Sequence, residues 1–519
     1  MMHDAVWQIG QRLMTGFPST EITDEFRQIV AKYRIGNFIL FEHNVENKEQ
    51  LRRLCAQLQE LAMEVTGTPA LIAIDQEGGV VSRLKGDCAV VPSAMCVSAS
   101  GDVQNAYRAG KLTGEELSAL GVNFDLAPDL DVNSNRQNVV IGVRSYGEAP
   151  QTVADYGVAM SRGLQAGGVL SCGKHFPGHG DTAVDSHLGL PLVDKSLDAL
   201  EQCELIPFRA AIDADIDAIM TTHILFPQLE KEKVPATMSR AIMTGLLREK
   251  LGFKGLIISD CMMMGAIQKY YGTVPGCIAA CKAGVDMVII SHDAALAGQT
   301  AEALYAELTQ GRLSAEEMEA SMARIAHCKS ALKAPAPEAA AAVGSPEHRA
   351  LVHALRQAGV TRVGPCAVPP ALGERPFFVG CYPFRVTLVS NPVDTHVCFP
   401  EWLAARFGGD SLVTDTDPDD AEVAQAVAAA QGHSCIVLGS YNGCSRPGQQ
   451  KLLHALAALG IPMACVALRN PDDLVELPGH VYGLAVYEYT LSSLEIAAEV
   501  LSGALKPAGR LPVTLEGKA

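Results

Sequence analysis

Short apolar runs rich in β-branched residues alternate with segments of helical periodicity over about the first 300 residues of the chain. Seven runs predict buried strands, and they are GNFILF (36–41), LIAID (71–75), VNFDLAP (122–128), GVLSCGKH (168–175), DAIMTTH (217–223), KGLIISD (254–260) and DMVIISH (286–292). LMTGF, near residue 15, is the candidate for an eighth strand. Because repeated β-then-α order favours a parallel sheet, the pattern predicts an α/β fold with a TIM-like (β/α)8 barrel at its N-terminal end.

The pattern changes in the segment ALKAPAPEAAAAVGSPEHRALVH, which mixes Pro and Ala without a sustained amphipathic period and is typical of a linker running into a helix. After it, the strand-like runs FFVG, RVTLVS, CIVLGS, MACVAL and GLAVYE alternate with helical patterns. This order predicts a C-terminal three-layer α/β/α sandwich. We therefore expect a catalytic barrel at 1–332, a linker at 333–352 and a sandwich domain at 353–519.

Composition narrows the class of protein. The chain has 519 residues, 48% of them hydrophobic, and a net charge of −17, which disfavours a nucleic acid partner. Fifteen cysteines without a CxxC pair argue against a disulfide framework and against a four-thiolate zinc site. With no basic segment followed by an apolar stretch and no run of 18 apolar residues, we expect a cytoplasmic protein without a membrane span.

Polar or charged residues end most of the predicted barrel strands. In a barrel the carboxyl ends of all strands meet at one mouth, where barrel enzymes place their chemistry. Each of these side chains taken alone is equally consistent with a helix cap or a local ion pair, but together they indicate an active site. The residues are Asp75, Lys174, His175, His223, Asp260 and His292.

The densest polar cluster is KHFPGHGDTAVDSHLGLP, residues 174–191, a loop in which Pro and Gly exclude a regular helix. Asp185 and His187 are two residues apart, close enough for the carboxylate to fix the tautomer of the imidazole, and this predicts an acid/base dyad. Two alternatives stay open: a structural hydrogen-bond network, and a metal site. The donors of that metal site would be His175, His179, His187 and Asp181.

Three other segments carry candidate site residues. Asp260 ends an apolar strand, where an ionised carboxylate suits attack on an electrophilic carbon, although it also suits a cap of the next helix. Asp75 and Arg83 flank a Gly-Gly turn, and Arg144 lies on a long polar loop. A carboxylate with fixed guanidinium groups suits a ligand with several hydroxyls or an amide, while a surface ion pair is the alternative for Asp75 and Arg83.

Several motifs together resemble glycoside hydrolase family 3, and within it the bacterial β-N-acetylglucosaminidases of the muropeptide-recycling type. They occur in the family's order and span nearly the whole chain: IDQEGG, NFDLAPDLDV with IGVRSYG, KHFPGHGDT followed by DSH, PATMSRAIMTGLLREKLGFKGLIISD and GALKPAGRLPV. The resemblance implies that Asp260 is the nucleophile and that His187 is the acid/base, oriented by Asp185. It also implies sugar contacts, which would come from Asp75, Arg83, Arg144, Lys174, His175 and His223.

The function that the resemblance implies is retaining exo-β-N-acetylglucosaminidase activity on terminal GlcNAc of cell-wall-derived saccharides. We expect a small carbohydrate substrate and no metal or organic cofactor. The alternatives are a phosphorylase that intercepts the same glycosyl-enzyme with phosphate, a metal-dependent hydrolase, and a sugar-binding sensor without turnover.

Overall fold

A computed structural model describes residues 4–182, 190–333, 339–387, 389–391 and 396–515. The chain divides into two compact units. The first consists of Met1–Val91, Ala106–Ile141 and Ala149–Arg349, and the second of Pro92–Asn105, Gly142–Glu148 and Ala350–Ala519. Two short segments from the first third of the chain therefore belong to the second unit. No single boundary in the sequence separates the two units.

The first unit is built on a closed barrel of eight parallel strands, which confirms the predicted fold class. The strands follow one another around the barrel in chain order, and β8 closes it by pairing with β1. They are β1 (Leu13–Thr15), β2 (Asn37–Leu40), β3 (Leu71–Ile74), β4 (Phe124–Asp125), β5 (Leu170–Phe176), β6 (Ala218–Thr221), β7 (Leu256–Cys261) and β8 (Met287–Ile290). LMTGF thus supplies the eighth strand, at the start of the barrel.

Helices connect the strands. Up to residue 333 they are α1 (Ala5–Gln11), α2 (Asp24–Tyr33), α3 (Lys48–Thr66), α4 (Ala94–Ala99), α5 (Gln104–Ala119), α6 (Pro150–Ala166), α7 (Leu197–Glu201), α8 (Leu205–Asp213), α9 (Gly265–Gln268), α10 (Thr273–Ala283), α11 (Ala294–Thr309) and α12 (Ala315–Ser330). A further helical segment, Ala241–Lys250, has π-type hydrogen bonds. Among the residues described, no helix combines the length and apolar character that crossing a membrane requires.

Helix α3 shows how the local sequence fixes these connections. The side chain of Asn47 accepts a hydrogen bond from the backbone N–H of Gln50, which caps the first turn. Apolar side chains at intervals of three and four residues, such as Leu51, Leu54 and Leu58, are buried on one face. Gly67 ends the helix with a φ of 72°, a left-handed conformation that favours glycine.

The barrel interior is filled by side chains from alternate positions of the strands. Because successive side chains of a strand point to opposite faces, every second residue belongs to this core. The buried cluster includes Met14, Ile39, Leu71, Ala73, Phe124, Leu170, Cys172, Ala218, Met220, Leu256, Ile258, Met287 and Ile289. Residues that follow these core positions towards the carboxyl end of each strand therefore lie at the mouth of the barrel.

The second unit contains a six-stranded sheet in the order β11-β10-β12-β13-β14-β9, parallel except where β9 runs antiparallel to β14. Its strands are β9 (Thr361–Val363), β10 (Pro376–Cys381), β11 (Asp410–Thr414), β12 (Cys435–Ser440), β13 (Met463–Ala467) and β14 (Tyr482–Ala485). Its further helices are α13 (Pro346–Gly359), α14 (Phe399–Phe407), α15 (Asp420–Ala430), α16 (Pro447–Ala457) and α17 (Leu491–Leu501). The α/β class predicted for this part of the chain is confirmed.

The prediction of a strand at RVTLVS is wrong for the residues of this run that the structure describes, 385–387 and 389–390. Arg385 Nε donates to the Thr387 carbonyl, and the Ser390 N–H bonds back to the same carbonyl, so the segment turns on itself after β10. The β-branched residues of this run favour a strand, but in the described part of the run they form none, because tertiary context overrides the local preference. The strands that pair with β10 are β12 and β11, and the sequence of β11, DSLVT, starts with polar, exposed residues.

Candidate active site

Asp75, just after β3, and Lys174, on β5, form a buried ion pair at the carboxyl end of the barrel. The Lys174 ammonium donates to Asp75 Oδ1 at 2.7 Å and lies 2.6 Å from Glu77 Oε1. The Lys174 side chain is 1% exposed and that of Asp75 is 14% exposed. Arg83 Nη2 lies 3.9 Å from Asp75 Oδ2. The structure thus brings together the predicted residues Asp75, Arg83 and Lys174, and it buries the pair of Asp75 and Arg83.

The turn after β3 holds Arg83 in this position. Gln76 Oε1 accepts hydrogen bonds from the backbone N–H groups of Arg83 at 2.8 Å and Leu84 at 3.2 Å. Gly78 and Gly79 have φ values of 97° and 52°, in the region that favours glycine. The Gly-Gly pair in the sequence therefore serves a tight turn that folds the chain back beside Asp75.

Asp125, on β4, is a further buried carboxyl group of the same cluster, and sequence reasoning did not single it out. Its Oδ1 accepts from the Gln76 N–H at 3.0 Å. Burial raises the pKa of Asp125 well above its usual range, while the positive charge of Lys174 acts in the opposite direction. Asp75 and Glu77 thus contact the Lys174 ammonium directly, and Asp125 interacts with its charge. The signal in the sequence was one acid inside the apolar run VNFDLAP.

His175 is held by a second carboxylate that the sequence analysis did not assign. Its Nδ1 lies 2.7 Å from Asp131 Oδ2, and Asp131 Oδ1 accepts from the backbone N–H of His179 at 2.6 Å. Because an ionised carboxylate only accepts, the shared proton lies on His175 Nδ1, which fixes the orientation of the ring. Asp131 belongs to the motif NFDLAPDLDV, so the motif was recognised but not the role of this residue.

The loop after β5 is anchored at its base. Asn138 Nδ2 donates to the carbonyl oxygens of His179 at 2.8 Å and Gly180 at 3.1 Å. A Cβ at Gly180 would lie 1.7 Å from the Val132 carbonyl oxygen, so only glycine fits there. The predicted dyad, Asp185 and His187, lies outside the described residues, and its roles stay predictions.

Asp260 is the fifth residue of β7 and is partly exposed at its carboxyl end. Its Oδ1 accepts from the Cys261 N–H at 2.6 Å. The next helix, α9, begins at Gly265 with Met264 at its N-cap, so Asp260 does not cap it. Met262 is buried, in keeping with a packing role.

His223, just after β6, lies beside the end of β7 with 0% exposure. Its Nε2 is 3.0 Å from the Cys261 carbonyl oxygen, and its Nδ1 is 2.8 Å from Thr237 Oγ1. Both ring nitrogens thus contact protein atoms. This arrangement favours a role in positioning β7 over the direct sugar contact that the resemblance implied.

The remaining predicted residues lie at two different places. His292, just after β8, is exposed and packs its ring against Phe41 with 4.5 Å between ring centroids. Although the residue is exposed overall, partial burial of its ring and the nearby His43 lower the pKa of His292. Arg144 is buried in the second unit, within the turn Gly142–Arg144, where its positive charge contributes to lowering the pKa of Arg469.

Among the described residues, one group of side chains has the composition of a metal site. It consists of Asp129, Asp131 and His175, whose ligand atoms all lie within 4.8 Å of one another. Of the metal set predicted from the sequence, this group contains His175 alone. His179 Nδ1 is instead 2.9 Å from Thr182 Oγ1, and Asp181 is 3.1 Å from Lys195 Nζ. Within this group, the His175 ring bonds to Asp131 Oδ2, and Asp129 Oδ1 accepts from the Asp131 N–H at 2.9 Å.

Comparison with known proteins identifies the family. Residues 5–328 match the glycosyl hydrolase family 3 N-terminal domain. Beta-hexosaminidase A of Pseudoalteromonas piscicida is 33% identical, over 98% of this chain and 96% of the relative. A glycoside hydrolase family 3 β-N-acetylglucosaminidase from Paenibacillus sp. str. FPU-7 has a TM-score of 0.91 and 36% identity, with all of both chains covered. A beta-glucoside phosphorylase, BglX, at 21% identity and a TM-score of 0.83, shares the fold. The resemblance seen in the sequence is therefore confirmed, and the chain belongs to glycosyl hydrolase family 3.

Proposed function

We propose that the protein is a retaining exo-β-N-acetylglucosaminidase that removes terminal β-GlcNAc from cell-wall-derived saccharides. Two similar proteins support the choice of sugar, because one is named a beta-hexosaminidase and the other a β-N-acetylglucosaminidase. Both match nearly the whole chain at 33% and 36% identity. The chemistry rests on the geometry of the barrel mouth.

The observation that carries the proposal is the position of three side chains, one just after β3, one on β5 and one on β7. Ala73, Cys172 and Ile258 point into the barrel core. Asp75, Lys174 and Asp260 each lie two residues after one of these, towards the carboxyl end of the same strand. Asp75 and Lys174 are in direct contact, and Asp260 lies at the carboxyl end of β7, where the register shifts between Ile258 and Cys261, so all three lie at the carboxyl-end mouth of the barrel. A buried ion pair and a partly exposed carboxylate therefore face one region.

These groups divide into binding and reaction roles. The Lys174 ammonium and Asp75 carboxylate, with the Arg83 guanidinium beside them, present charged donors and acceptors suited to sugar hydroxyls. We assign the attack on the anomeric carbon to Asp260, since its carboxylate is partly exposed at the carboxyl end of β7 and accepts the Cys261 N–H through Oδ1. The reaction also requires a group that donates a proton to the leaving group.

The proposed reaction has two displacements. Asp260 forms a bond to the anomeric carbon as the glycosidic C–O bond breaks, and the His187 imidazolium gives its proton to the leaving oxygen. Water then attacks the same carbon, His187 takes the water proton, and the Asp260 carboxylate is released. Two inversions retain the configuration. Asp185 orients the imidazole in both steps.

A phosphorylase is the second candidate function. An imidazole base becomes cationic or neutral in the catalytic cycle, so it does not repel an anionic acceptor as a carboxylate would. Phosphate in place of water would give GlcNAc-1-phosphate from the same glycosyl-enzyme. A metal-dependent hydrolase and a non-catalytic sugar sensor are the further alternatives, and the effect of a chelator together with the reaction products separates all four.

The proposed setting is the recycling of cell-wall fragments in the cytoplasm. All fifteen cysteines are free thiols, and most are buried, with pKa values that burial raises, as for Cys88 to about 12. Free thiols in this number fit a reducing compartment.

The test is cleavage of aryl glycosides by the purified protein in phosphate-free buffer with a chelator. We expect fast release from the β-GlcNAc substrate and at least 100-fold slower release from the β-glucose substrate. The same reaction with phosphate should give GlcNAc as the sugar product. GlcNAc-1-phosphate as the main product would establish the phosphorylase, and binding of GlcNAc without any release would establish the sensor.

A further inference from the structure

Lys195 lies between two carboxylates that belong to different parts of the first unit. Its ammonium is 3.1 Å from Asp181 Oδ2, in the loop after β5, and donates to Glu204 Oε1, at the start of α8, at 2.5 Å. The Glu204 side chain is 1% exposed, whereas those of Lys195 and Asp181 are 25% and 33% exposed. The lysine therefore connects an acid near the surface of the loop to a buried acid.

The buried carboxylate of Glu204 holds Lys195 in place. Glu204 is the N-cap residue of α8, yet its side chain makes no capping hydrogen bond and accepts from Lys195 instead. A buried charge is costly unless it is paired, so this contact is hard to give up. Burial on its own lowers the pKa of Lys195, but the hydrogen bonds and charges of Glu204 and Asp181 raise it above its ordinary value of 10.5. Lys195 is therefore a cation at neutral pH.

The loop after β5 packs closely on the same acid. Gly178, near the start of this loop, has a φ of 140°, and a Cβ there would lie 2.7 Å from both Glu204 Cβ and Glu204 Cγ. Removal of the Lys195 cation would leave a buried carboxylate without its ion pair beside the backbone of the loop.

Lys195 also connects the two ends of this loop. The incoming end is fixed by the hydrogen bonds that Asn138 donates to its carbonyl groups. At the outgoing end, the Val193 N–H donates to the Leu225 carbonyl at 2.9 Å, which fixes this end to the segment after β6. Because Asp181 follows the first anchor and Lys195 follows the second, their ion pair joins one anchored end to the other.

We propose that Lys195 is a positioning residue for the acid/base of the reaction, because it joins the two ends of the chain segment that carries His187. Asp185 and His187 lie between Asp181 and Lys195 in the sequence. A general acid works only when its proton is within hydrogen-bond reach of the leaving oxygen, and small displacements are costly. The ion pairs of Lys195 are independent of the proposed function, whereas its effect on catalysis rests on the proposed role of His187.

The test is how kcat/KM of Lys195→Met depends on the leaving group. A dinitrophenyl leaving group departs with little protonation, whereas the sugar leaving group of a β-linked GlcNAc disaccharide requires the acid. We expect kcat/KM to fall about tenfold or more for the disaccharide and less than about threefold for dinitrophenyl β-GlcNAc. A lysine that only stabilises the fold would lower both values by the same factor, and that result would overturn the proposal.

The second step of the reaction gives an independent readout, since the same group acts there as a base on water. On dinitrophenyl β-GlcNAc, the kcat of Lys195→Met should fall, and azide should restore it, because azide attacks the anomeric carbon without a base. The bond from that carbon to Asp260 breaks, and the product is β-GlcNAc azide. The kcat of the wild type should not rise with azide. Failure of azide to raise the kcat of Lys195→Met would contradict the proposal.

Three further variants serve as controls. Lys195→Arg keeps the cation and should keep the wild-type leaving-group dependence. Lys250→Met breaks an exposed ion pair with Glu201 on α7, 2.7 Å long, and should leave the ratio of the two kcat/KM values unchanged. Asp181→Asn breaks the link to the incoming end while the pair of Lys195 and Glu204 remains. It provides the same readouts if Lys195→Met does not fold.

The His187→Ala variant shows which part of the argument fails. If it lowers kcat/KM equally for the two substrates, the assignment of the acid/base is wrong, and the positioning role is wrong with it. If His187→Ala shows the leaving-group dependence and the azide rescue while Lys195→Met and Asp181→Asn do not, the role of Lys195 alone is wrong.

Discussion

Lys174 Nζ lies 2.7 Å from Asp75 Oδ1 although 99 residues separate the two in sequence. Asp75 follows β3 and Lys174 lies on β5, so the barrel is what brings them together. Both are largely buried, and Glu77 adds a second carboxylate to the same ammonium. Taking such a pair out of water is costly, and charged groups buried at a barrel mouth are candidates for contact with a ligand.

Replacing Lys174 with Met should abolish sugar binding and destabilise the barrel. The change leaves Asp75 and Glu77 without their cation, which costs about 3–5 kcal/mol for a buried pair. We expect kcat/KM for aryl β-GlcNAc to fall at least 100-fold and the Tm, measured by circular dichroism, to fall with it. The double variant Lys174→Met with Asp75→Asn should regain part of the Tm but none of the activity.

The matched control for this variant is Lys32→Met, which breaks an exposed pair with Glu302 on the outer helices. Exposed pairs contribute about 1 kcal/mol or less, so neither Tm nor kcat/KM should change appreciably. Equal effects of the two lysine variants would contradict the role given to Lys174.

Asp260→Asn should reduce turnover of aryl β-GlcNAc at least 1,000-fold with the fold intact, because an amide is a poor nucleophile. The control is Asp293→Ala, which removes the N-cap of α11, where the side chain accepts from the Leu296 N–H. That variant should lose about 1 kcal/mol of stability and keep its activity. Assay of both variants separates a carboxylate that reacts from one that caps a helix.

Dialysis against a chelator should leave the activity unchanged, with less than a tenth of a metal ion per chain by elemental analysis. The reason is that Asp131 already accepts from the His175 ring and from the His179 N–H. Loss of activity on dialysis that Zn²⁺ restores would instead support an ion held by Asp129, Asp131 and His175.

Lys329 should make the stability of the barrel depend on pH. Its ammonium is buried against Gln11 and the Gly36 carbonyl, and burial lowers the pKa of Lys329 from 10.5 to about 7. Between about pH 7 and pH 10.5 the unfolded chain therefore binds more protons than the folded one. The free energy of unfolding should rise with pH across this window, by up to about 1.4 kcal/mol per unit, and not below it.

The measurement is the difference in Tm between pH 7 and pH 9.5 for the wild type and for Lys329→Met. The variant should lose this part of the pH dependence, while Lys254→Met, at an exposed position, should keep it. A wild-type pH dependence in Lys329→Met would show that other groups are responsible.

The sequence predicts those parts of the structure that depend on local patterns. Apolar runs such as KGLIISD identify the barrel strands because their side chains are buried on both faces. The sequence did not predict roles for Glu77 and Asp131, because these roles come from contacts with Lys174 and His175, which lie on a distant strand. No local pattern reports such contacts.

Other differences have the same physical origin. RVTLVS has the composition of a strand, but it lies at the turn after β10 and pairs with no strand in the part described. His223 was correctly placed at a strand end, yet only the positions of Thr237 and Cys261 show that its ring contacts protein atoms on both sides. Arg144 follows a barrel motif in the sequence, while the compact unit to which it belongs is the second one.

The most direct test of the account is to trap the glycosyl-enzyme with a 5-fluoro-β-N-acetylglucosaminyl fluoride and to map the label by mass spectrometry. The account predicts one sugar per chain, attached to the peptide that contains Asp260, and no label in Asp260→Asn. Turnover of aryl β-GlcNAc by a wild-type protein that carries its label on another carboxylate, or that never becomes labelled, would contradict it.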